Sequence, residues 1–248
     1  MAPVTCREPQ DKGGLYRDPF IRLERDQEMV TMEVSWIVAT HDTRVLAENL
    51  LATLPPRSVL SELRDELIIM HHQPSLTWAY HRGQELATGK VHCYIQHDVQ
   101  ILDFPKLRQA LMDATVGTGM AGIIGGVALT MPWWACATQW CGSVRDPRVP
   151  TGQHPAQGDW GPGRGPLVLD GLLLATRQEV AWDTDWPGWH GYDHDACKQM
   201  IARGLDNVCV AGGKDMVLHN TKTGFGVTWT PEWAESVNYY QAKWGAGS

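Results

Sequence analysis

The amino-acid sequence predicts an α/β fold: a single domain on a mostly parallel sheet with helices on both faces. Two observations carry this. Short apolar runs alternate with amphipathic stretches in the order β-α-β-α-β-α-β, a pattern that closes into a parallel sheet covered by its crossover helices. The 248 residues are enough to bury one such core.

Each element has a local reason. Residues 1–31 are polar and charged and read as an extended arm, with no apolar stretch of signal type. Val34–Thr40 reads as the first strand. His41-Asp42-Thr43 forms a turn, and Asp42 or Thr43 suits the cap of a helix over Arg44–Leu54, which Pro55-Pro56 stops. Glu66–Met70 is a second strand. It leads through the polar turn His71–Ser75 into a helix over 76–88. The third strand spans 91–96 and runs into His97-Asp98. Phe104–Ala114 is helical, and Ile123–Leu129 returns to strand. Residues 131–166 break the pattern, with Trp133, Trp134, Trp140 and Trp160 among many glycines and prolines. They read as a long loop or a short antiparallel excursion, and loops of this length tend to serve binding. Strand resumes over Leu167–Ala175, followed by a helix at 193–203, a strand at 207–210 and the apolar run Met216-Val217-Leu218 before His219. The tail 231–244 is amphipathic. The chain carries no internal repeat.

The formal net charge of -7 argues against a bulk electrostatic grip on nucleic acid or an anionic membrane. Cys6, Cys93, Cys136, Cys141, Cys197 and Cys209 include no C-x-x-C pair, which favours reduced thiols over a disulfide framework or a zinc knuckle. Residues 120–137 carry no charge, but their glycines and Pro132 fit a buried strand and turn better than a membrane helix. A soluble cytoplasmic protein is expected. Twelve tryptophans are many for this length. Indole faces line sugars and other flat ligands, and equally often pack cores.

Two motifs are decoys. Gly117-Thr118-Gly119-Met120-Ala121-Gly122 matches a dinucleotide fingerprint, but a helix precedes it and a strand follows, the reverse of what that motif needs. His190 and His194 have the spacing of a zinc pair on a helix. Their spacer Gly191-Tyr192-Asp193 holds no glutamate, and Gly191 weakens a helix there. No serine or cysteine stands in a nucleophile elbow. What survives is Asp98, Asp193 and His219, each at the end of an element. Asp98 follows a strand, where α/β folds place ligands. A nucleotide-diphosphate leaving group needs a divalent cation, Mn²⁺ or Mg²⁺, and carboxylate oxygens with one histidine suit it. A further carboxylate is needed to take a proton from an attacking hydroxyl. Taken singly, Asp98 also reads as a solvated strand-end residue and Asp193 as a helix cap.

Five segments in order resemble a known family. Val34–Asp42 resembles its first strand and nucleotide-contacting turn. Pro74-Ser75, Ala79-Tyr80, Gly83 and Ala87-Thr88-Gly89 resemble its "S…AYN-G…A-G" segment, with His81 in place of asparagine. Tyr94-Ile95-Gln96-His97-Asp98-Val99 is similar to its "F-H-Q-D-V" strand end, the counterpart of the DxD motif, with histidine and glutamine exchanged. Leu169–Thr176 is similar to "V-D-G-x-x-x-A-T", and Trp189–Cys197 to "F-H-x-Y-D-x-D-x-C". Over roughly residues 32–225 the chain resembles GT-A glycosyltransferases of the broad family 2 group. It looks closest to the subgroup typified by the streptomycin-biosynthesis glycosyltransferase-like domain.

The resemblance implies a Rossmann-like GT-A domain over 32–248 behind the arm 1–31, with a nucleotide-binding half (32–130) and an acceptor-binding half (131–248). It implies transfer of a sugar from a nucleotide-diphosphate sugar, a UDP-sugar by preference, to a hydroxyl acceptor with inversion. Asp193 matches the catalytic base. Asp98 and His219 would hold the metal. Thr40, His41, Asp42, Ser75, Tyr80, Gln96 and His97 fall on the donor side. Trp133, Trp134, Asp170, Gly171, Trp189 and His190 fall on the sugar and acceptor side. The acceptor is open: a small molecule, glycan or peptide, with a modified nucleic-acid base less favoured. Two other classes stay in view. One is a non-catalytic nucleotide- or carbohydrate-binding module, which the single aspartate at the DxD position favours. The other is a metal-dependent hydrolase using His190, His194 and Asp98.

Overall fold

The computed structural model of the chain describes residues 31–129, 137–147, 158–220 and 230–245. The predicted arm, save Thr31, and the Trp133-Trp134 pair lie outside them. The first half comprises β1 (Met32–Thr40), α1 (Thr43–Glu48), α2 (Leu50–Thr53), α3 (Arg57–Glu62), β2 (Asp65–His71), α4 (Leu76–Leu86), β3 (Gly89–Gln96), β4 (Val99–Ile101), α5 (Phe104–Ala114) and β5 (Met120–Gly122). Then come β6 (Ile124–Leu129), β7 (Ala137–Gly142), β8 (Gly163–Gly165), β9 (Val168–Leu169) and β10 (Leu173–Thr176). The last are α6 (Tyr192–Ala202), β11 (Asn207–Cys209), α7 (Gly213–Met216), β12 (Val217–His219) and α8 (Pro231–Trp244).

A seven-stranded sheet in the order β2-β1-β3-β10-β5-β11-β8 forms the centre. β2, β1 and β3 pair in parallel, β5 and β11 likewise, while β10 and β8 run against their neighbours. This is the mostly parallel α/β sheet the sequence predicts. Alternation along β1 explains the two-sided core. Trp36 and Val38 point to one face with Leu46, Leu50, Leu107 and Leu111. Ile37 and Ala39 point to the other with Ala79 and Tyr80 of α4 and with Ala196, Cys197 and Met200 of α6. Each fully buried large side chain contributes about 1.5–3 kcal/mol.

Two predicted elements divide, and a third changes sheet. The Ile123–Leu129 strand forms as β6, but it joins β7 and β9 in a separate antiparallel sheet, and the preceding β5, outside the predicted range, takes the place in the central sheet. The Leu167–Ala175 strand splits at Asp170-Gly171-Leu172 into β9 and β10. That turn brings β10 into the sheet from the carboxyl edge, hence its reversed direction. The helix over Arg44–Leu54 breaks at Asn49. This buried amide donates to the Val45 carbonyl at 2.8 Å and accepts from the side chains of Gln100 (3.0 Å) and Asn220 (2.8 Å). Those bonds tie α1 to the two-stranded ribbon of β4 and β12. A helix follows Pro55-Pro56, α3, which the periodicity did not indicate. Among the described residues no helix is long and apolar enough to cross a membrane.

Candidate functional site

Parallel β1 and β3 end together, with Ala39 beside Gln96. Their carboxyl ends and the turn before β10 therefore meet at one sheet edge, where such folds bind ligands. Thr40 Oγ1 lies 2.8 Å from His97 Nδ1. The His41 ring packs between His97 and Trp189, with centroids 5.2 and 5.8 Å away. Trp189 is 44% exposed, which leaves an aromatic face open to solvent. Asp42 caps α1 through the amides of Arg44 and Val45. Ser75 caps α4 through Trp78 N at 3.1 Å. Tyr80 is wholly buried against Tyr94, Trp182 and Tyr192.

A second group forms around the tight turn at Gly171. Gln96 Nε2 donates to the Tyr192 hydroxyl at 3.1 Å, and that hydroxyl donates to the Gly171 carbonyl at 3.0 Å. Gly171 N donates to Asp193 Oδ2 at 2.9 Å, and His194 N donates to Asp193 Oδ1 at 3.0 Å. A Cβ at residue 171 would overlap the Tyr192 hydroxyl, so only glycine lets the turn close on α6. Asp170 accepts from Leu172 N at 2.9 Å, which shapes the same turn. Burial pushes the Asp193 carboxyl up from 3.8 to about 6, against the lowering effect of its backbone donors. A carboxylate poised near neutrality suits a general base.

The third group is Asp98 with His219. Val99 pairs with His219 across the ribbon, and Asn220 N donates to the Asp98 carbonyl at 2.9 Å. The two side chains thus face each other, with His219 Nε2 3.6 Å from Asp98 Oδ1. That is too long for a hydrogen bond, and among the described residues neither buried atom has a hydrogen-bond partner. Burial opposes both charges, yet their mutual attraction wins. It holds Asp98 below its ordinary value and raises His219, with Asp170 and Asp146 adding to the latter. One carboxylate oxygen and one imidazole nitrogen, facing each other as an ion pair and without a hydrogen bond among the described residues, fit a divalent cation of the Mn²⁺ kind once the imidazole has given up its proton. Among the described residues no three such ligands converge. The pair would hold a cation only with ligands from a bound diphosphate and water.

His190 precedes α6 across Gly191, whose φ of 76° is left-handed, and its carbonyl accepts from Trp186 Nε1 at 2.7 Å. His194 lies within the helix, 1% exposed, beside the Tyr240 ring. The two histidines therefore do not share the helical face that a zinc hydrolase needs. Sequence reasoning missed Tyr192 as a linking residue and buried Asp146 near His219. Tyr192 stood in the recognised segment, whereas nothing local marks Asp146.

A family model described as "Glycosyltransferase like family" matches residues 37–228. No curated protein matches the chain. Among solved structures, the crystal structure of A197 from STIV is similar over 79% of this chain and 98% of that one, at 9% sequence identity and a TM-score of 0.41.

Proposed function

The chain belongs to the glycosyltransferase-like family, and from that premise we propose that it moves a sugar from a nucleotide-diphosphate sugar, a UDP-sugar by preference, to a hydroxyl acceptor with inversion. The observation that carries the reading is Asp193. Its carboxyl is fixed by the Gly171 and His194 amides and pushed up to about 6 at the carboxyl edge of the sheet. Such a group takes the acceptor proton as the sugar bond forms. Within the family, the nearest subgroup in this reading is the streptomycin-biosynthesis type, acting in the cytoplasm.

Thr40, His41 and His97 would line the base and ribose, with Asp42 and Ser75 holding their turns. Tyr80 and Gln96 would support that wall through Tyr192. Trp189, His190, Asp170 and Gly171 would border the sugar, with Trp133 and Trp134 toward the acceptor. Residues 32–130 then make the donor half and 131–248 the acceptor half. Asp98 and His219 would hold Mn²⁺ or Mg²⁺. When bound, that cation offsets the charge building on the leaving diphosphate.

A thermal-shift series tests this. UDP, GDP and their sugars are added with and without Mn²⁺, since a ligand of the folded state raises the melting temperature. A rise with a uridine or guanosine diphosphate that grows with Mn²⁺ supports the reading. No rise with any nucleotide or nucleotide-sugar overturns it.

A further inference from the structure

We propose that α8 is a clamp that positions Asp193, acting through Asp195, Lys243 and Trp186. The proposal rests on the reading of Asp193 as the base. Its first arm is Asp195, two residues beyond Asp193 in the first turn of α6 and only 2% exposed. An acidic residue in a first helical turn gains from the helix dipole while exposed to water. Burying it costs free energy unless it is paired. Here Lys243 Nζ lies 3.0 Å from Asp195 Oδ1, Trp244 Nε1 donates to the same oxygen at 2.8 Å, and Gln199 Nε2 donates to Oδ2 at 2.9 Å. Two of these three partners come from the last turn of α8.

The second arm grips the chain before α6. Lys243 Nζ also lies 2.9 Å from Asp183 Oδ2, to which the Tyr239 hydroxyl donates at 3.2 Å. Ser236 Oγ donates to the Pro187 carbonyl at 2.6 Å. The Trp186 ring meets Tyr239 edge-on at 5.1 Å and carries Lys243 5.7 Å from its centroid. Trp186 then donates to the His190 carbonyl. Asp183, Pro187 and His190 are thus held on one side of Gly191, and Asp195 on the other. Asp193 stands between the two anchors. Removing one partner of buried Asp195 costs stability, so the geometric role is read only in variants that remain folded.

The test needs no substrate and uses the full chain. The Asp193 carboxyl is titrated by carbon NMR, its resonance assigned by its loss in Asp193→Asn. Amide exchange is followed over residues 191–197. Lys243→Met removes both ion pairs, and Trp244→Phe, a milder change, removes one donor to Asp195. Lys243→Arg keeps charge and reach. The titratable groups facing Asp193 among the described residues include His190, Tyr80, Tyr192 and Cys197, none of them on α8. Loss of a cation alone would raise the Asp193 pKa. Loosening the clamp admits water and lowers it toward the ordinary carboxylate range. We expect that fall in Lys243→Met, with exchange at 191–197 faster by at least about tenfold, a smaller change of the same sign in Trp244→Phe, and restoration in Lys243→Arg. An unchanged or raised pKa with unchanged exchange at 191–197 in folded Lys243→Met or Trp244→Phe overturns the clamp. Because neither readout involves nucleotide or sugar, failure of the clamp is separable from failure of the transferase reading.

Discussion

Replacing Asp193 with asparagine separates catalysis from folding, because its two effects on stability have opposite signs while its effect on catalysis is a loss alone. Raising a carboxyl from 3.8 to about 6 corresponds to about 3 kcal/mol by which the folded state disfavours the ionised form. The sign follows from linkage: the folded state binds the proton more tightly, so this stability is full below about 3.8 and is lost as pH rises through about 6. Above that window the wild type carries a destabilising buried carboxylate that asparagine lacks. Asparagine keeps one acceptor oxygen. Its amide nitrogen must then face either Gly171 N or His194 N, which costs about 1–3 kcal/mol. The two terms nearly cancel. At pH 7.5 the melting temperature should stay within about 5 °C of wild type, and at pH 4.5 Asp193→Asn should be the less stable protein. Turnover should fall by about a hundred- to ten-thousand-fold, and the rise of wild-type activity with pH through about 6 should disappear. Initial rates with the donor found by thermal shift, with calorimetric melts at both pH values, measure all of this. An asparagine variant that transfers sugar at close to the wild-type rate would refute the assignment, leaving Asp193 as a structural acceptor for the Gly171 turn.

Other consequences are simpler to read. Asp98→Asn and His219→Ala should each weaken Mn²⁺-dependent binding of a nucleoside diphosphate by at least about tenfold, or 1.4 kcal/mol. Calorimetric titration checks this, and equal affinities would remove the pair from the site. Gly171→Ala puts a methyl group against the Tyr192 hydroxyl. It should cost about 1–3 kcal/mol of stability and also lower turnover, since the same turn holds Asp193. Paired Trp133→Ala and Trp134→Ala should raise the acceptor KM with little change in melting temperature. A loss of stability alone would mark them as packing residues.

The parts legible in the sequence are those set by local period and by chain order. Val34–Thr40 and Val91–Gln96 alternate or run apolar over strand length, so both strands and their common edge follow directly, and with them the neighbourhood of Thr40, His97 and Asp98. Asp193 is legible because a helix start and a recognisable segment coincide there. What escapes is set by partners far along the chain. Asn49 looks like one more helical position until Gln100 and Asn220, 51 and 171 residues away, claim its side chain and break the helix. Ile123–Leu129 reads as one strand because its apolar content is continuous. It forms as the single strand β6, but pairing with β7 and β9 takes it out of the central sheet, where Met120–Gly122 pairs with β10 and β11 instead. Asp195 is buried in the first turn of α6, and two of its three partners, Lys243 and Trp244, return from the far end of the chain. A residue's chemistry at this site is thus announced by its own segment, whereas its geometry is supplied by segments that carry no mark of the task. Variants that disturb positioning without touching the site residues should therefore cluster at such distant partners, and Asn49, Tyr192 and Lys243 are where the fold concentrates them.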